Sequence, residues 1–191
     1  MLGAMTRSSY HHGDLRAALL AEAAALVAER GADRISLREL ARRAGVSHAA
    51  PAHHFTDRRG LFTALATEGF RLLEAALTAA RPRFVDAALA YVRFALEHPG
   101  HYEVMFAKSL LDAADPALTA AERAAGAELA RGVASLEDPH AHADPVAAEL
   151  AAWSLVHGFA TLWRNGALDP AVRAADPMRT VERIARMLFE G

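Results

Sequence analysis

The chain has 191 residues, 53% of them hydrophobic but only 7% aromatic, with no cysteine and a formal net charge of −2. This length can bury one core or two small ones. The absence of cysteine excludes disulfides and thiolate metal sites, and the charge argues against a protein that coats nucleic acid. Much of the apolar content is Ala, which favours closely packed helices. No apolar run reaches ~18 residues and the first residues lack a signal core, so a soluble cytoplasmic protein with no membrane partner is expected.

Residues 1–13 read as an arm. Arg7, Tyr10, His11 and His12 either reach a DNA backbone or minor groove or form a disordered tail. Asp14 caps a first helix whose stripe is Leu15, Leu19, Ala23, Leu26 and Val27; Gly31 ends it.

The stretch Ile35 to Phe55 then reads as two short helices. Ser36 and Glu39 form a capping box, and Leu37, Leu40, Ala41 and Ala44 share a face. Gly45 takes the left-handed conformation, Val46 plugs the turn, and Ser47 caps a helix starting at His48. This is the spacing of a DNA-binding helix-turn-helix, or of an ordinary helical hairpin. Charge favours the first reading. Residues 1–60 hold nine Arg and six acids (+3), and residues 61–191 hold twelve Lys and Arg and seventeen acids (−5).

A fourth helix runs from Arg58 to Arg81, capped by Asp57 and ~36 Å long. Leu61, Leu65, Leu72 and Leu77 are its packing positions, with Phe62 and Phe70 on a neighbouring face. A fifth spans Val85 to Glu97, and His98-Pro99-Gly100-His101 breaks it. A sixth carries Tyr102, Met105, Phe106 and Leu110. A seventh opens at Asp115-Pro116 and reaches Leu136. EDPHAHADP is a loop. Asp144-Pro145 opens an eighth helix that stops near Asn165-Gly166, and Asp176-Pro177 opens a ninth. The fold class is therefore all-α, with about nine helices.

From His11 to Phe70 these features resemble the head of a TetR-family transcriptional repressor. The matching stretches are GDLRAALLAEAAALVAERG, SLRELARRAGVSHAAP, HHF and DRRGLFTALATEGF. HPGHYEVMF resembles the start of the sixth helix in such proteins. Trp153, His157 and Gly158 resemble the WHG signature of one class of their C-terminal domains. The resemblance implies an arm (1–13), a helix-turn-helix DNA-binding domain (14–60) and a ligand-binding and dimerisation domain (61–191). It implies a homodimer that leaves its DNA operator when a small-molecule effector moves the fourth helix.

The resemblance also implies site residues. Ser36, Arg38, Ser47, Arg58 and Arg59 face the DNA backbone; His48, Ala49, Ala50 and His53 face bases, and His54 packs the helix end. Ala52 stands where many family members carry a phosphate-contacting Tyr. Ala methyls and His are weak base readers. Tyr102, Met105, Phe106, Trp153 and His157 line an effector pocket suited to an apolar or aromatic molecule, unless they only fill the core. Leu155, Phe159, Leu162, Val181, Ile184 and Leu188 form the dimer interface, unless the last two helices pack internally.

No metal or other cofactor is expected. His98, His101, His140 and His142 read as solvated loop residues, and no HExxH, Gly-rich phosphate loop or GxSxG elbow gives an enzyme support. The alternatives are an all-α enzyme, with His157 as its only candidate base, or a helical interaction module.

Overall fold

A computed structural model describes residues 12–137 and 139–189; the arm (residues 1–11) lies outside it. The side chains of residues 12–14, His140, Leu188 and Phe189 also lie outside the described residues, and with them the Asp14 cap and the Leu188 interface position. Eleven α-helices and no strand are present among the described residues. They are α1 (His12–Arg30), α2 (Leu37–Arg43), α3 (Ala50–Phe55), α4 (Arg58–Ala79), α5 (Phe84–Glu97) and α6 (Pro99–Met105). They continue with α7 (Pro116–Ala134), α8 (Pro139–Ala143), α9 (Pro145–Arg164), α10 (Pro170–Arg173) and α11 (Pro177–Phe189).

Helices α1 to α3 and the first turns of α4 make a small head around Leu19, Leu26, Val27, Leu40, Phe55, Leu61 and Phe62, each at most 4% exposed. The body stacks α4 on α7, α5 on α9 and α11, and α6 between α1 and α4. One continuous core runs from head to body. Along α4, Leu61, Leu65, Leu73 and Leu77 form a row with four-residue steps, all buried. Its gap at Gly69 is filled by Met105, whose Sδ would lie 2.6 Å from an added Cβ.

Aspartate caps open several helices. Asp57, Asp115 and Asp144 each accept the backbone N–H three residues on, at 2.8, 2.8 and 3.0 Å. Asp176 accepts from Met178 and Arg179. Ser36 accepts from Glu39, but the Glu39 carboxylate turns to Arg30 and Arg42, so only half of the capping box forms.

Five expectations need correction. The third helix starts at Ala50, not His48, and Ser47 does not cap it. Pro51 has no N–H to give the Ser47 carbonyl, which accepts from Ala50 in a tighter turn instead. Leu72 is 37% exposed and Leu73 takes its place in the core, because the buried row winds around α4 as its neighbours change from the head to α7, and a seven-residue step from Leu65 stays on the original face. The EDPHAHADP loop contains α8. Pro99 starts α6 rather than only breaking α5. His101 is not a solvated loop residue: it is 8% exposed on α6 and bonds Glu68 at 3.0 Å.

Candidate functional site

The head presents one polar surface. Ser36, Arg38, Ser47, His48, Ala49, Ala52, His53 and Arg59 are exposed there. Ala50 and His54 are half-buried, while Pro51 and Phe55 hold α3 to the core. Gly45, with φ of 66°, makes the turn between α2 and α3 as expected. Thr56 also has positive φ, 66°, in a γ-turn whose Asp57 N–H donates to Phe55 at 2.7 Å. This tight corner sets α3 against α4.

The arginines divide into two groups. Arg43 joins α2 to α1 through Glu22 and Glu29, at 3.0 and 2.5 Å. Glu39 bridges Arg30 and Arg42, whose guanidinium groups, Arg42 first, hold its carboxyl down to about 2. Arg58 turns inward. Its Nε donates to the Ile35 carbonyl at 2.9 Å, its Nη2 to the Ala32 carbonyl at 2.8 Å, and its guanidinium covers the Phe62 ring. Arg34, Arg38 and Arg59 are exposed and, among the described residues, their side chains have no ion pair or hydrogen bond. These three, with the exposed Arg16 that lies over the Phe55 ring and has no ion pair among the described residues, are cations the head can offer to phosphates. Arg34 was not anticipated, because nothing in its sequence neighbourhood distinguishes it from Arg30 or Arg42.

Helix α6 ties head to body. Glu103 accepts the Ala32 N–H at 2.6 Å. Gly100 lies so close to α1 that a Cβ there would stand 2.0 Å from the Ala24 carbonyl oxygen. Farther along, Met105 packs on Gly69 of α4, and Phe106 reaches the body's cavity.

That cavity holds about 370 Å³ between α4, α5, α7 and α9. Phe70, Leu73 and Leu77 come from α4, Tyr91 from α5 and Phe106 from the end of α6. Glu122, Ala125, Gly126 and Leu129 form the α7 wall; Val146, Glu149, Leu150 and Trp153 form the α9 wall. Of the five expected lining residues, Phe106 and Trp153 face it. Met105 is fully buried between α6 and α4. Tyr102 and His157 sit behind the wall: the His157 ring is 4.5 Å from Phe106 and 5.6 Å from Trp153.

Behind that wall lies a polar cluster. The hydroxyls of Tyr91 and Tyr102 are each 3.0 Å from His157 Nδ1. Tyr102 also lies 3.1 Å from Thr161 Oγ1. Burial pushes both tyrosines above their ordinary pKa and His157 below it. A neutral imidazole protonated at Nε2 has one acceptor lone pair at Nδ1, which takes the hydrogen of one of the two hydroxyls. The cluster is bonded to itself, and Arg164 closes one side over the Tyr102 ring.

On α9 and α11 the positions expected at a dimer interface also divide. Leu162 is 45% exposed and Leu155 partly so, with Ala151, Ser154 and Gly158 on the same outer face. Phe159 at 7% and Val181 at 0% are buried within the chain; Ile184 is half-buried. Among the described residues no three His, Asp or Glu side chains gather as a metal site, and no helix is long and apolar enough to cross a membrane.

Residues 19–65 match the family model described as bacterial regulatory proteins, tetR family, and residues 84–188 match that of the Tetracyclin repressor-like C-terminal domain. The chain belongs to the TetR family and is a DNA-binding transcriptional regulator, not an enzyme. A protein of unknown function from Rhodococcus sp. RHA1 is 36% identical, with a TM-score of 0.75 over 97% of this chain and 98% of that one. A TetR-family regulator from Pectobacterium atrosepticum is 25% identical, with a TM-score of 0.60 over 96% of this chain and 98% of that one. NalD, the secondary repressor of a multidrug efflux pump in Pseudomonas aeruginosa, shares the fold at 22% identity and a TM-score of 0.60, over 94% of this chain and 95% of that one. No curated protein matches the sequence.

Proposed function

We propose that this regulator is a homodimeric repressor released from its operator by a small apolar or aromatic effector bound in the cavity between α4, α5, α7 and α9. One observation carries the reading: the cavity shares α4 and α6 with the head. Phe70, Leu73 and Leu77 on α4 line it, while Arg58 at the other end of α4 bonds the turn before α2. A ligand that prefers a different set of α4 and α6 positions therefore changes where the head stands. It shifts the population between two states by its difference in affinity for them.

Operator binding needs two heads. Helix-turn-helix dimers read half-sites ~34–36 Å apart, one turn of DNA. The outer face of α9 (Leu155, Leu162) and the half-buried Ile184 of α11 supply apolar surface for a second copy. Ser36, Arg38, Ser47 and Arg59 position the head on phosphates, and His48, Ala49, Ala50 and His53 meet base edges.

The test is to select bound fragments from genomic DNA and measure transcription from the selected promoter with and without the regulator. Higher transcription without it supports a repressor. Lower transcription makes it an activator.

A further inference from the structure

We propose that the cavity takes a lipophilic monocation, with its apolar or aromatic body among the ring walls and its positive charge held between Glu149 and the Trp153 indole. This deepens the effector reading above and rests on it.

The walls set the body of the ligand. Phe70, Tyr91, Phe106 and Trp153 present rings into about 370 Å³, within the usual size of a small-molecule pocket. On the opposite side, nothing lies within 4 Å of where a Gly126 Cβ would stand, which leaves room against α7.

The charged lining sets the head group. Its ionisable side chains, apart from the Tyr91 phenol, are the carboxylates of Glu122 and Glu149; no basic residue contributes among the described residues. Lys108 pairs with Glu122 and offsets that charge. Glu149 has no ion pair or hydrogen bond among the described residues. One negative charge at the edge of an apolar cavity is left without a partner. An anion there meets repulsion, a neutral molecule gains at most a hydrogen bond from it, and a single cation compensates its charge.

The spacing adds a second attraction. Glu149 and Trp153 stand four residues apart on α9, so the carboxylate and the indole share a face one turn apart. A cation between them meets the carboxylate and an aromatic face, and Trp is the strongest aromatic partner for a cation. Glu149 is half-buried and Trp153 is 40% exposed. The charge thus sits at the rim, where water still reaches it, while the body goes inward. That arrangement avoids the large cost of burying an ion in an apolar interior.

Three probes of one shape and three charges test this on the full chain: benzyltrimethylammonium, neutral neopentylbenzene and anionic benzylsulfonate. Binding is read by calorimetry, with Trp fluorescence as a check. The expected result is at least tenfold tighter binding of the cation than of the neutral probe, with the anion weakest. In Glu149→Gln the cation's advantage falls at least fivefold while the neutral probe binds as before, which also shows that the variant is folded. Equal binding of cation and neutral probe, or a preference for the anion, overturns the proposal and leaves the cavity reading standing. If none of the three binds, the cavity reading falls and takes the proposal with it.

Discussion

The Glu103 carboxylate of α6 holds the Ala32 N–H at 2.6 Å, joining residues 71 apart in the chain. Ala32 lies in the turn that leads into the helix-turn-helix, and three residues past Glu103, Phe106 lines the cavity. A ligand pressing on Phe106 is therefore connected to the head by less than one turn of helix. Glu103→Ala is expected to lower stability by about 1–3 kcal/mol, the usual loss for a bond to a charged acceptor. It is also expected to shrink the ligand-induced drop in DNA affinity while leaving ligand binding intact. Denaturant unfolding and paired DNA and ligand titrations check both. Ligand-induced release at full size in this variant would show that α4 alone carries the coupling.

The two kinds of head arginine are separable by salt. Arg38→Ala and Arg59→Ala should weaken DNA binding across sequences, and each should reduce the slope of log affinity against log salt by about 1. Arg58→Ala should instead destabilise the head by about 2 kcal/mol, because two carbonyls and the Phe62 face lose their partner. Its salt slope should change little. Affinity measured at three or more salt concentrations, beside an unfolding curve, distinguishes them.

The proposed interface and the core differ on α9 in the same way. Leu162→Glu places a charge on an exposed apolar position and should give monomers at micromolar concentration in sedimentation, with the helical signal kept. Phe159→Glu buries a charge against Trp163 and should unfold the chain, at a cost of several kcal/mol. A dimer that survives Leu162→Glu would move the interface off this face of α9.

Acid should weaken the body before it weakens the ion pairs. Burial lowers the pKa of His157, so the folded chain keeps it neutral while the unfolded chain binds a proton below about 6.5. His98 is lowered too, by burial and then by His101. The unfolded state then binds more protons, so stability falls as pH drops through that value. Glu39 and Glu128 are held at about 2 by their arginines, Arg42 for the first and Arg81 then Arg131 for the second. Their contribution stays intact until pH falls below about 4.5. Denaturant midpoints should drop between pH 7.5 and 5.5, and drop less in His157→Gln. A flat profile over that window would mean His157 is not held neutral by the fold.

Local chemistry was legible and long-range chemistry was not. Asp57, Asp115, Asp144 and Asp176 announce their helices because a cap and its N–H lie two or three residues apart. Asp169-Pro170 is the same device with a weaker signal, because the α10 it opens has only four residues and no apolar period. The start of the third helix is harder to read, because the consequence of Pro51 falls on the carbonyl of Ser47, four residues back. The cavity is harder still. Phe70, Tyr91, Glu122 and Glu149 come from four helices, and only packing brings them together. Trp153 and Phe106 stand out by their size and motif. Glu149 had a usable signal, its four-residue spacing from Trp153, but a lone carboxylate on a polar helix face does not stand out.

Occupying the body's cavity is expected to weaken DNA binding by the head. The direct measurement is affinity for a selected genomic operator, with and without saturating benzyltrimethylammonium, in a sample where calorimetry shows the cavity filled. The expected result is at least a tenfold loss of affinity, about 1.4 kcal/mol of coupling. Unchanged operator affinity with the cavity filled would contradict it.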